Sequence, residues 1–376
     1  MKHKKEMEGG EKLMINTQLA VIGAGPAGLS AAIEAAKYGV KVTLLDENSK
    51  PGGQLFKQIH KFFGSKEHKA GTRGFDIGSQ LIEESKKYGV NVRMGNVVYG
   101  AFDKNYLDIT YEDKVEVLKA EKIIIATGAS EKALCFPGWT MPGVMGAGAA
   151  QTMINVNRVL PGKRILMIGS GNVGLIVSYQ LLQAGAEVVA LVEAADCIGG
   201  YGVHAAKIRR AGVPILTSHT VKCVTGTKCV ESATVVRVDN NFKPIEGTEK
   251  TFDVDMVCIA IGLYPLVELI KIFGCQTAYL PVLGGFVPLH DESMETSIPG
   301  VYVAGDLAGV EEASTAMEEG KLAGLAVAHS LGYITNEEYD LRSESIKGQI
   351  DSLRMGQFGQ KRKEAVDFLV GGASDV

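Results

Sequence analysis

The sequence predicts an α/β protein in which one strand–turn–helix–strand unit occurs twice. The first copy occupies residues 18–47, where an apolar run is followed by the turn GAGPAG, an alanine-rich stretch and a second apolar run. The second copy starts at Arg164 and repeats this order with the turn GSGNVG. Both turns have the same glycine spacing, and the second strands end on acidic residues, Asp46 and Glu193. The repeat therefore predicts two Rossmann-like folds in one polypeptide.

The first turn has the features that a dinucleotide requires. Gly23 permits the tight turn, Gly25 lets the backbone approach a pyrophosphate, and Gly28 allows the helix to pack closely on the strand. The helix N-terminus then presents N–H groups and the positive end of its dipole to the phosphates. Asp46 follows Gly28 by eighteen residues and is placed to accept hydrogen bonds from ribose hydroxyls. A purely structural turn is the alternative.

The second turn repeats the pattern at Gly169, Gly171 and Gly174. Glu193 would accept a hydrogen bond from an adenosine ribose 2′-hydroxyl and would repel a 2′-phosphate, and no arginine follows it before Arg209. The second site is therefore predicted to prefer NAD over NADP. The alternative is a degenerate second fold that packs without binding a nucleotide.

Length and composition restrict the class of protein. A chain of 376 residues predicts two or three domains, and a net charge of −4 gives no electrostatic case for nucleic acid or an anionic membrane. No apolar run approaches the length of a membrane span. Six cysteines without a CxxC motif indicate a reducing compartment, the cytoplasm. The nearest pair, Cys223 and Cys229, is predicted to be structural, with a redox or metal role as the alternative.

Three further blocks lie at the ends of predicted strands. Residues 51–54 (PGGQ) form either a plain turn or one that passes under a flat ring. Residues 122–128 and 255–262 are apolar strands that end in small-residue turns, which suit close packing against a cofactor. Asp306, after Gly305, is placed at a strand end where it can bind a polyol hydroxyl of a flavin or cap the local loop.

The remaining pattern predicts a helix over residues 74–88 and a hairpin over residues 107–118, separate from the strand that starts at residue 122. Residues 336–376 are charged and predict a peripheral helical tail. Four histidines are predicted to lie in surface loops and are not nominated as catalysts: His60, His68, His204 and His290. We nominate no general base, no nucleophile and no metal ligand.

Taken in order, these blocks resemble the thioredoxin-reductase-like group of the pyridine nucleotide-disulfide oxidoreductases, flavoproteins with two dinucleotide domains. The stretches DENSKPGGQ, FPGWTMPGVMGAGAAQ, LGGFVPLHDESMETSIPGVYVAGD and GVEEASTAMEEGKLAG are similar to one branch of that group. The branch contains the FAD/NAD-binding subunits of hydrogen cyanide synthase, heteromeric sarcosine oxidase (its alpha subunit), opine oxidase and dye-linked L-proline dehydrogenase. The resemblance runs from about residue 17 to residue 333.

The resemblance implies an FAD domain split between residues 1–134 and 266–335, an inserted NAD domain at residues 135–265, and a helical tail at residues 336–376. By position it implies that FAD contacts Gly23, Gly25, Pro26, Gly28, Asp46, Gly53, Gln54, Thr127, Gly128, Gly305 and Asp306, with backbone groups of Val98 meeting the adenine. It implies that NAD contacts Gly169, Gly171, Asn172, Gly174, Glu193 and Gly262.

The sequence departs from the wider family in two places. The redox cysteine pair of thioredoxin and glutathione reductases is missing from both GGQLFKQ and GVMGAGAAQ, which argues against dithiol chemistry. The last cysteine is Cys275, so the C-terminal iron–sulfur cluster of longer branch members cannot be bound by that route. If a complex contains such a centre, another polypeptide, an iron–sulfur protein, must supply its ligands.

The sequence leaves three hypotheses for function. The leading one is the FAD/NAD-binding subunit of a heteromeric amino-acid or amine dehydrogenase, in which hydride passes between NAD(H) and the flavin. A partner flavoprotein subunit would then oxidise a substrate of the proline, sarcosine, opine or glycine type. The second is a free-standing NADH:acceptor flavin reductase that uses a dye or ferredoxin. The third is a non-catalytic nucleotide-binding scaffold subunit.

Overall fold

The computed structural model describes residues 14–62, 65–102, 105–112 and 114–374. Their α-helices, in chain order, are α1 (Pro26–Lys37), α2 (Gly74–Lys87), α3 (Ala147–Thr152), α4 (Asn172–Gln183), α5 (Gly202–Arg210), α6 (Glu268–Ile272), α7 (Ala313–Ser330), α8 (Asn336–Leu353) and α9 (Gln357–Ser374).

The strands before residue 150 are β1 (Met14–Ile22), β2 (Val42–Asp46), β3 (Asn91–Met94), β4 (Asn96–Phe102), β5 (Tyr106–Tyr111), β6 (Lys114–Ile125), β7 (Ala129–Glu131) and β8 (Val144–Gly146). The later strands are β9 (Arg164–Ile168), β10 (Glu187–Val192), β11 (Ile215–Leu216), β12 (His219–Thr225), β13 (Ser232–Arg237), β14 (Lys250–Asp253), β15 (Met256–Ile259), β16 (Leu263–Pro265), β17 (Thr277–Leu280), β18 (Gly285–Pro288) and β19 (Val301–Val303).

The chain divides into two compact units. The first unit combines residues 1–130 with residues 264–376, and the second is the continuous segment 131–263. The α/β fold with two Rossmann-like sheets that the repeat predicts is therefore confirmed. The domain limits inferred from the resemblance, at residues 134 and 266, remain a prediction.

The main sheet of the first unit has the order β3-β2-β1-β6-β5-β4, and β19 also pairs with β6. The pairs β1–β2, β1–β6, β2–β3 and β6–β19 are parallel. Parallel strands are covered on both faces and so need continuous apolar runs. Every residue of β2 (VTLLD) is accordingly buried.

Strand β6 corrects one expectation from the sequence. The predicted hairpin end and the predicted strand from residue 122 form a single twelve-residue strand, Lys114–Ile125. Its first half pairs antiparallel with β5, and its second half pairs in parallel with β19. The change of partner, rather than a break in the strand, produces the change in sequence pattern.

Helices α1 and α7 pack against each other at very short range. A Cβ added at Gly320 would lie 2.2 Å from the Ala27 carbonyl oxygen, and one at Gly324 would lie 2.3 Å from that of Ala31. Backbone therefore meets backbone, and only glycine fits at these two positions of α7. The alanine-rich sequence of α1 provides the matching small surface, because its residues from Ala27 to Ala36 are all buried.

The second unit has its own sheet and its own cores. Five parallel strands follow the order β11-β10-β9-β15-β8, and β12, β13 and β14 form a separate antiparallel sheet. Leu175, Val177 and Leu181 on α4 are fully buried and join Ile165 of β9 in one apolar cluster. Helices therefore cover one face of the parallel sheet, and on the other face Ile168 and Val192 pack with Val221 and Val235 of the antiparallel sheet.

The C-terminal residues are helical as predicted, and α8 and α9 pack on earlier residues through a few buried side chains. Ile346 and Ile350 of α8 belong to the apolar core of the first unit. Leu369 of α9 is fully buried with Leu283 and Val287. Thr335 caps α8 by accepting a hydrogen bond from the Glu338 N–H at 3.2 Å.

Three histidines also differ from expectation. His68, His204 and His290 are buried, and His204 lies on α5 rather than in a loop. Burial lowers the pKa of both His204 and His290. Tertiary packing covers these three side chains.

The six cysteines are free thiols, and Cys258 is buried. Among the described residues, no helix combines the length and the apolar character that crossing a membrane requires.

Candidate dinucleotide sites

The first glycine turn joins β1 to α1. Gly23 has φ of +105°, and an added Cβ would lie 2.3 Å from the Ala126 carbonyl oxygen at the end of β6. A Cβ on Gly28 would lie 1.8 Å from the Gly23 carbonyl oxygen. These two glycines therefore meet a conformational and a packing requirement of the fold itself.

Gly25 differs from the other two glycines because its position is open. Its φ of −76° suits any residue, and no described heavy atom lies within 4 Å of an added Cβ, its chain neighbours aside. Gly25 is the N-cap of α1, no side chain of a described residue caps that helix end, and Pro26 starts the helix. The N–H groups of an uncapped helix end can bind an anion, and the missing Cβ leaves room for a phosphate beside them.

Asp46 lies at the end of β2, beside this turn. Its Oδ2 accepts a hydrogen bond from the Ala24 N–H at 2.6 Å, and its Oδ1 accepts bonds from the backbone N–H and side-chain amide of Asn48, both at 2.8 Å. A carboxylate has about four lone-pair sites. Three are occupied, so Asp46 can still accept one hydrogen bond from a ribose hydroxyl.

The PGGQ segment packs on the first glycine turn. The Gly52 N–H donates to the Ala24 carbonyl at 2.7 Å, and a Cβ on Gly53 would lie 2.9 Å from the Gly25 Cα. Gln54 follows within a short 3₁₀ helix, Gly53–Lys57. The segment thus lies beside the open position at Gly25.

The small-residue turn after β6 contacts Leu266, where the chain re-enters the first unit. Thr127 donates its hydroxyl to the Leu266 carbonyl at 3.2 Å, and the Leu266 N–H donates to the Gly128 carbonyl at 3.0 Å. Gly128 has φ of +75° and open space around an added Cβ. Val98 is half-buried on β4, where it pairs with Ile109.

Gly305 and Asp306 follow β19 and reach the start of α1. Gly305 has φ of +75°, and an added Cβ would lie 2.7 Å from the Ala27 Cβ. The Asp306 carboxyl oxygen Oδ1 accepts a long hydrogen bond, 3.4 Å, from the Glu311 N–H. Burial raises the pKa of Asp306 to about 6. The fold thus brings Gly23, Gly25, Pro26, Gly28, Asp46, Gly53 and Gly305 together.

The second glycine turn joins β9 to α4 and repeats the first in detail. Gly169 has φ of +103°, and its added Cβ would lie 2.2 Å from the Ala260 carbonyl oxygen. A Cβ on Gly174 would lie 2.2 Å from the Gly169 carbonyl oxygen. Gly171 is open: apart from its chain neighbours, no described heavy atom lies within 4 Å of an added Cβ, and none of the side chains that the structure describes caps α4. We call each glycine turn, with the helix end that follows it, a cradle. The backbone of the second cradle repeats that of the first, so in its backbone the second fold is not a degenerate copy.

Glu193 takes the place of Asp46 in the second unit. Its Oε2 accepts hydrogen bonds from the Ser170 N–H at 2.9 Å and the Ser170 hydroxyl at 2.6 Å, and its Oε1 accepts one from the Ala195 N–H at 3.0 Å. As with Asp46, one acceptor position is left. Gly262, after β15, has φ of +109°, and its carbonyl accepts a hydrogen bond from the Lys132 N–H at 2.9 Å.

The structure adds a glycine pair that the sequence reasoning missed. The Gly199 N–H donates to the Ser170 hydroxyl at 2.9 Å, and the Tyr201 N–H donates to the Asn172 Oδ1 at 2.9 Å. A Cβ on Gly200 would lie 3.0 Å from the Asn172 nitrogen at the start of α4. This segment therefore lies on the second glycine turn, as PGGQ lies on the first.

Sequence spacing could have revealed this pair. Gly52 and Gly53 follow Asp46 by six and seven residues, and Gly199 and Gly200 follow Glu193 by the same numbers. Only the placement is repeated, because Gly52 and Gly53 have positive φ and the later pair does not. The internal repeat is thus longer than the glycine turns alone suggest.

The same three features make both cradles suitable for a dinucleotide. Each has a helix end without a capping side chain among the described residues, an open glycine at the N-cap, and an acid, Asp46 or Glu193, with one acceptor position left. Two such units in one chain define a class, the flavoproteins that also bind a pyridine nucleotide. The chain belongs to the pyridine nucleotide-disulphide oxidoreductase family, which matches residues 17–320. The family resemblance is confirmed, and this family of enzymes binds FAD and NAD(P).

Curated relatives carry the names of enzyme subunits. The chain is 28% identical to an opine oxidase subunit of Rhizobium meliloti over 336 residues, which are 84% of this chain and 63% of the relative. It is 24% identical to the HcnB subunit of hydrogen cyanide synthase from Pseudomonas aeruginosa, over 93% of this chain and 78% of the relative. It is 28% identical to the alpha subunit of sarcosine oxidase from Rhizobium meliloti, over 95% of this chain but 35% of the relative.

Solved structures share the fold. L-proline dehydrogenase from P. horikoshii has a TM-score of 0.68 and 23% identity, covering 90% of this chain and 60% of that one. Thioredoxin reductase from T. acidophilum has a TM-score of 0.69 and 24% identity, covering 84% of this chain and 99% of that one.

Proposed function

We propose that the chain is the FAD- and NAD(H)-binding subunit of a heteromeric amino-acid or amine dehydrogenase. The observation that carries this proposal is the duplicated cradle, with Gly25 and Gly171 open beside uncapped helix ends. The subunit names of the opine oxidase, hydrogen cyanide synthase and sarcosine oxidase relatives support it. The substrate would be a small amino acid or amine that is oxidised on a partner flavoprotein subunit.

FAD is proposed to bind the first unit. Gly25 and Pro26 would place the N-terminus of α1 against the pyrophosphate, and Asp46 would accept a hydrogen bond from the adenosine ribose. Gly53, Gln54, Thr127 and Gly128 would adjoin the remainder of the cofactor, and Val98 would meet the adenine. Asp306, with its raised pKa, can donate as well as accept a hydrogen bond near pH 6, which suits a polyol hydroxyl.

NAD(H) is proposed to bind the second unit. Gly171 and Asn172 would place the N-terminus of α4 against the pyrophosphate, and Gly262 would adjoin the nicotinamide half. The one remaining acceptor position of Glu193 suits a 2′-hydroxyl, while its charge opposes a 2′-phosphate. We therefore propose a preference for NADH over NADPH.

When bound, the flavin and the nicotinamide supply the hydride transfer. The residues of this chain would bind both cofactors, orient them and limit the access of water. This division of labour requires no general base here. It is consistent with a substrate that is oxidised elsewhere in a complex, on a partner with its own flavin.

The test is an anaerobic titration of the purified protein with NADH, followed by the absorbance of the oxidised flavin, alongside mass analysis of proteins that co-purify. We expect loss of flavin absorbance with NADH, a weaker response to NADPH, and a second flavoprotein in the complex. A colourless protein that takes up no added FAD would refute the proposal. A lone chain that oxidises an amino acid would contradict the role of the partner.

The same experiment separates the two remaining hypotheses. Fast NADH turnover with a dye or ferredoxin, by a protein that purifies alone, would favour a free-standing reductase. A flavin that NADH does not reduce in the intact complex would favour a non-catalytic scaffold.

A further inference from the structure

A buried ionic cluster connects the end of α8 to the turn of Gly305 and Asp306, which we call the flavin turn. Arg354 directly follows α8, and its side chain is 8% exposed. Its Nε and one terminal nitrogen donate to Glu311 at 3.0 and 2.7 Å. The same terminal nitrogen donates to the Glu319 Oε1 at 2.7 Å. One guanidinium therefore holds two buried carboxylates.

Glu319 carries the contact on to the flavin turn. Its second oxygen, Oε2, accepts a hydrogen bond from the Gly305 N–H at 3.0 Å. Glu311 reaches the same turn through its backbone, because its N–H donates to the Asp306 carboxyl. Both partners of Arg354 are thus bonded to residues of the flavin turn.

The cluster is electrostatically demanding. Burial raises the pKa of Glu319, and the charge of Arg354 opposes that rise. Breaking a buried pair by removing one partner is costly, because the remaining charge is left without compensation. Without Arg354, two carboxylates would face each other behind the flavin turn, and Glu319 would lose the partner that orients it.

The other ion pairs that join α8 to earlier residues of the first unit include more exposed side chains. The side chain of Arg342, paired with Glu34, is 50% exposed, and those of Lys347 and Glu292 are 38% and 72% exposed. Exposed pairs contribute little to stability. Lys347 lies on the helix that Arg354 follows and therefore offers a matched control.

We infer that Arg354 is a positioning residue of the flavin turn: it orients Glu319, which fixes the Gly305 N–H and so the place of Asp306. The inference rests on the proposed FAD site. Arg354 lies beyond the family match at residues 17–320, so a residue outside that region would orient the flavin turn.

The test measures the FAD dissociation constant of the full-length apoprotein, with thermal unfolding in the presence and absence of FAD. Arg354→Met should weaken FAD binding on the order of tenfold, the loss expected for one charged hydrogen bond. Arg354→Lys keeps the positive charge but loses the planar guanidinium that donates to both Glu311 and Glu319, so its effect on FAD binding should be smaller than that of Arg354→Met. Lys347→Met should change the constant by less than about twofold.

Glu319→Gln provides a second, independent variant. Arg354 and Gly305 donate to different oxygens of Glu319, and the amide replaces one of these oxygens by an NH2 group that cannot accept, so FAD binding should weaken. The double variant Arg354→Met/Glu319→Gln should bind FAD no more weakly than the worse single variant, because both act through one contact. The midpoint increase that FAD produces in thermal unfolding should shrink in each variant except Lys347→Met.

A folded Arg354→Met protein with the wild-type FAD constant would overturn the inference, as would single-variant effects that multiply in the double variant. If Arg354→Met does not fold, Glu319→Gln decides: wild-type FAD affinity overturns the inference, and weakened affinity supports it. If the wild-type protein itself takes up no FAD, the proposed function fails. If wild type and variants bind FAD equally, only the role of Arg354 fails.

Discussion

Gly171→Ala should separate nucleotide binding from folding. The backbone at Gly171, with φ of −64° and ψ of 174°, suits alanine, and the added methyl would meet no described heavy atom within 4 Å outside its chain neighbours. Alanine is a poorer N-cap than glycine by roughly 0.5–1 kcal/mol but restricts the unfolded chain, a gain of about 0.4–1 kcal/mol. The free energy of unfolding should therefore change by less than about 1 kcal/mol.

The effect on NADH should be much larger. The methyl would occupy the space through which the start of α4 approaches a pyrophosphate. Losing two hydrogen bonds between backbone N–H groups and a phosphate, each worth about 1.5–3 kcal/mol, removes at least about 3 kcal/mol of binding. That corresponds to a dissociation constant more than about a hundredfold weaker.

The assay is anaerobic NADH titration of the FAD-loaded protein, with FAD content and the thermal midpoint measured on the same sample. Gly348→Ala is a matched control, because Gly348 is an exposed position of α8 where an added Cβ meets nothing described within 4 Å. It should leave both nucleotides bound. If NADH reduced the flavin of the Gly171→Ala protein at the NADH concentrations that suffice for the wild-type protein, the assignment of NADH to the second cradle would be refuted.

Three other changes have distinct expected results. Gly320→Ala places a methyl 2.2 Å from the Ala27 carbonyl oxygen, so chemical denaturation should show a loss of about 2–3 kcal/mol. Gly200→Ala brings a methyl to 3.0 Å from the Asn172 nitrogen, so NADH affinity should fall about tenfold with FAD content unchanged. Burial raises the pKa of Asp306 to about 6. The neutral carboxyl therefore adds to the free energy of unfolding of the cofactor-free protein below about pH 4, and this contribution is lost as the pH rises through about 6. Asp306→Asn should reduce the change in the free energy of unfolding between about pH 4 and about pH 6, by at most about 3 kcal/mol.

Each result has a clear opposite. An unchanged denaturation midpoint for Gly320→Ala would mean that α1 and α7 can separate without cost. Loss of FAD from Gly200→Ala would mean that the change disturbs the whole chain. An Asp306→Asn profile with the wild-type slope between about pH 4 and pH 6 would assign the titration to another group.

The sequence was sufficient where the structural cause is local. Gly23 and Gly28 are required by one turn and one crossing of helix and strand, so their spacing alone predicts the cradle. Asp46 could be placed for the same reason, because it ends the strand that pairs directly with β1. The open position at Gly25 follows from the same turn.

The sequence was insufficient where the cause is distant along the chain. Arg354 contacts Glu311 and Glu319, which precede it by 43 and 35 residues. No periodicity in the sequence predicts that Glu319 connects Arg354 to the Gly305 N–H. The burial of His290 likewise depends on tertiary packing. The sequence pattern of β6 predicts two strands instead of one, because the pattern changes where the neighbouring strands change.

The glycine contact between α1 and α7 has a consequence for biosynthesis. Gly320 and Gly324 supply the surface on which α1 rests, yet the ribosome makes them after the complete segment 131–263. We therefore expect the nascent middle segment to become protease-resistant first, while the N-terminal residues stay protease-sensitive until α7 emerges. Flavin would then be incorporated only near the end of translation or after release.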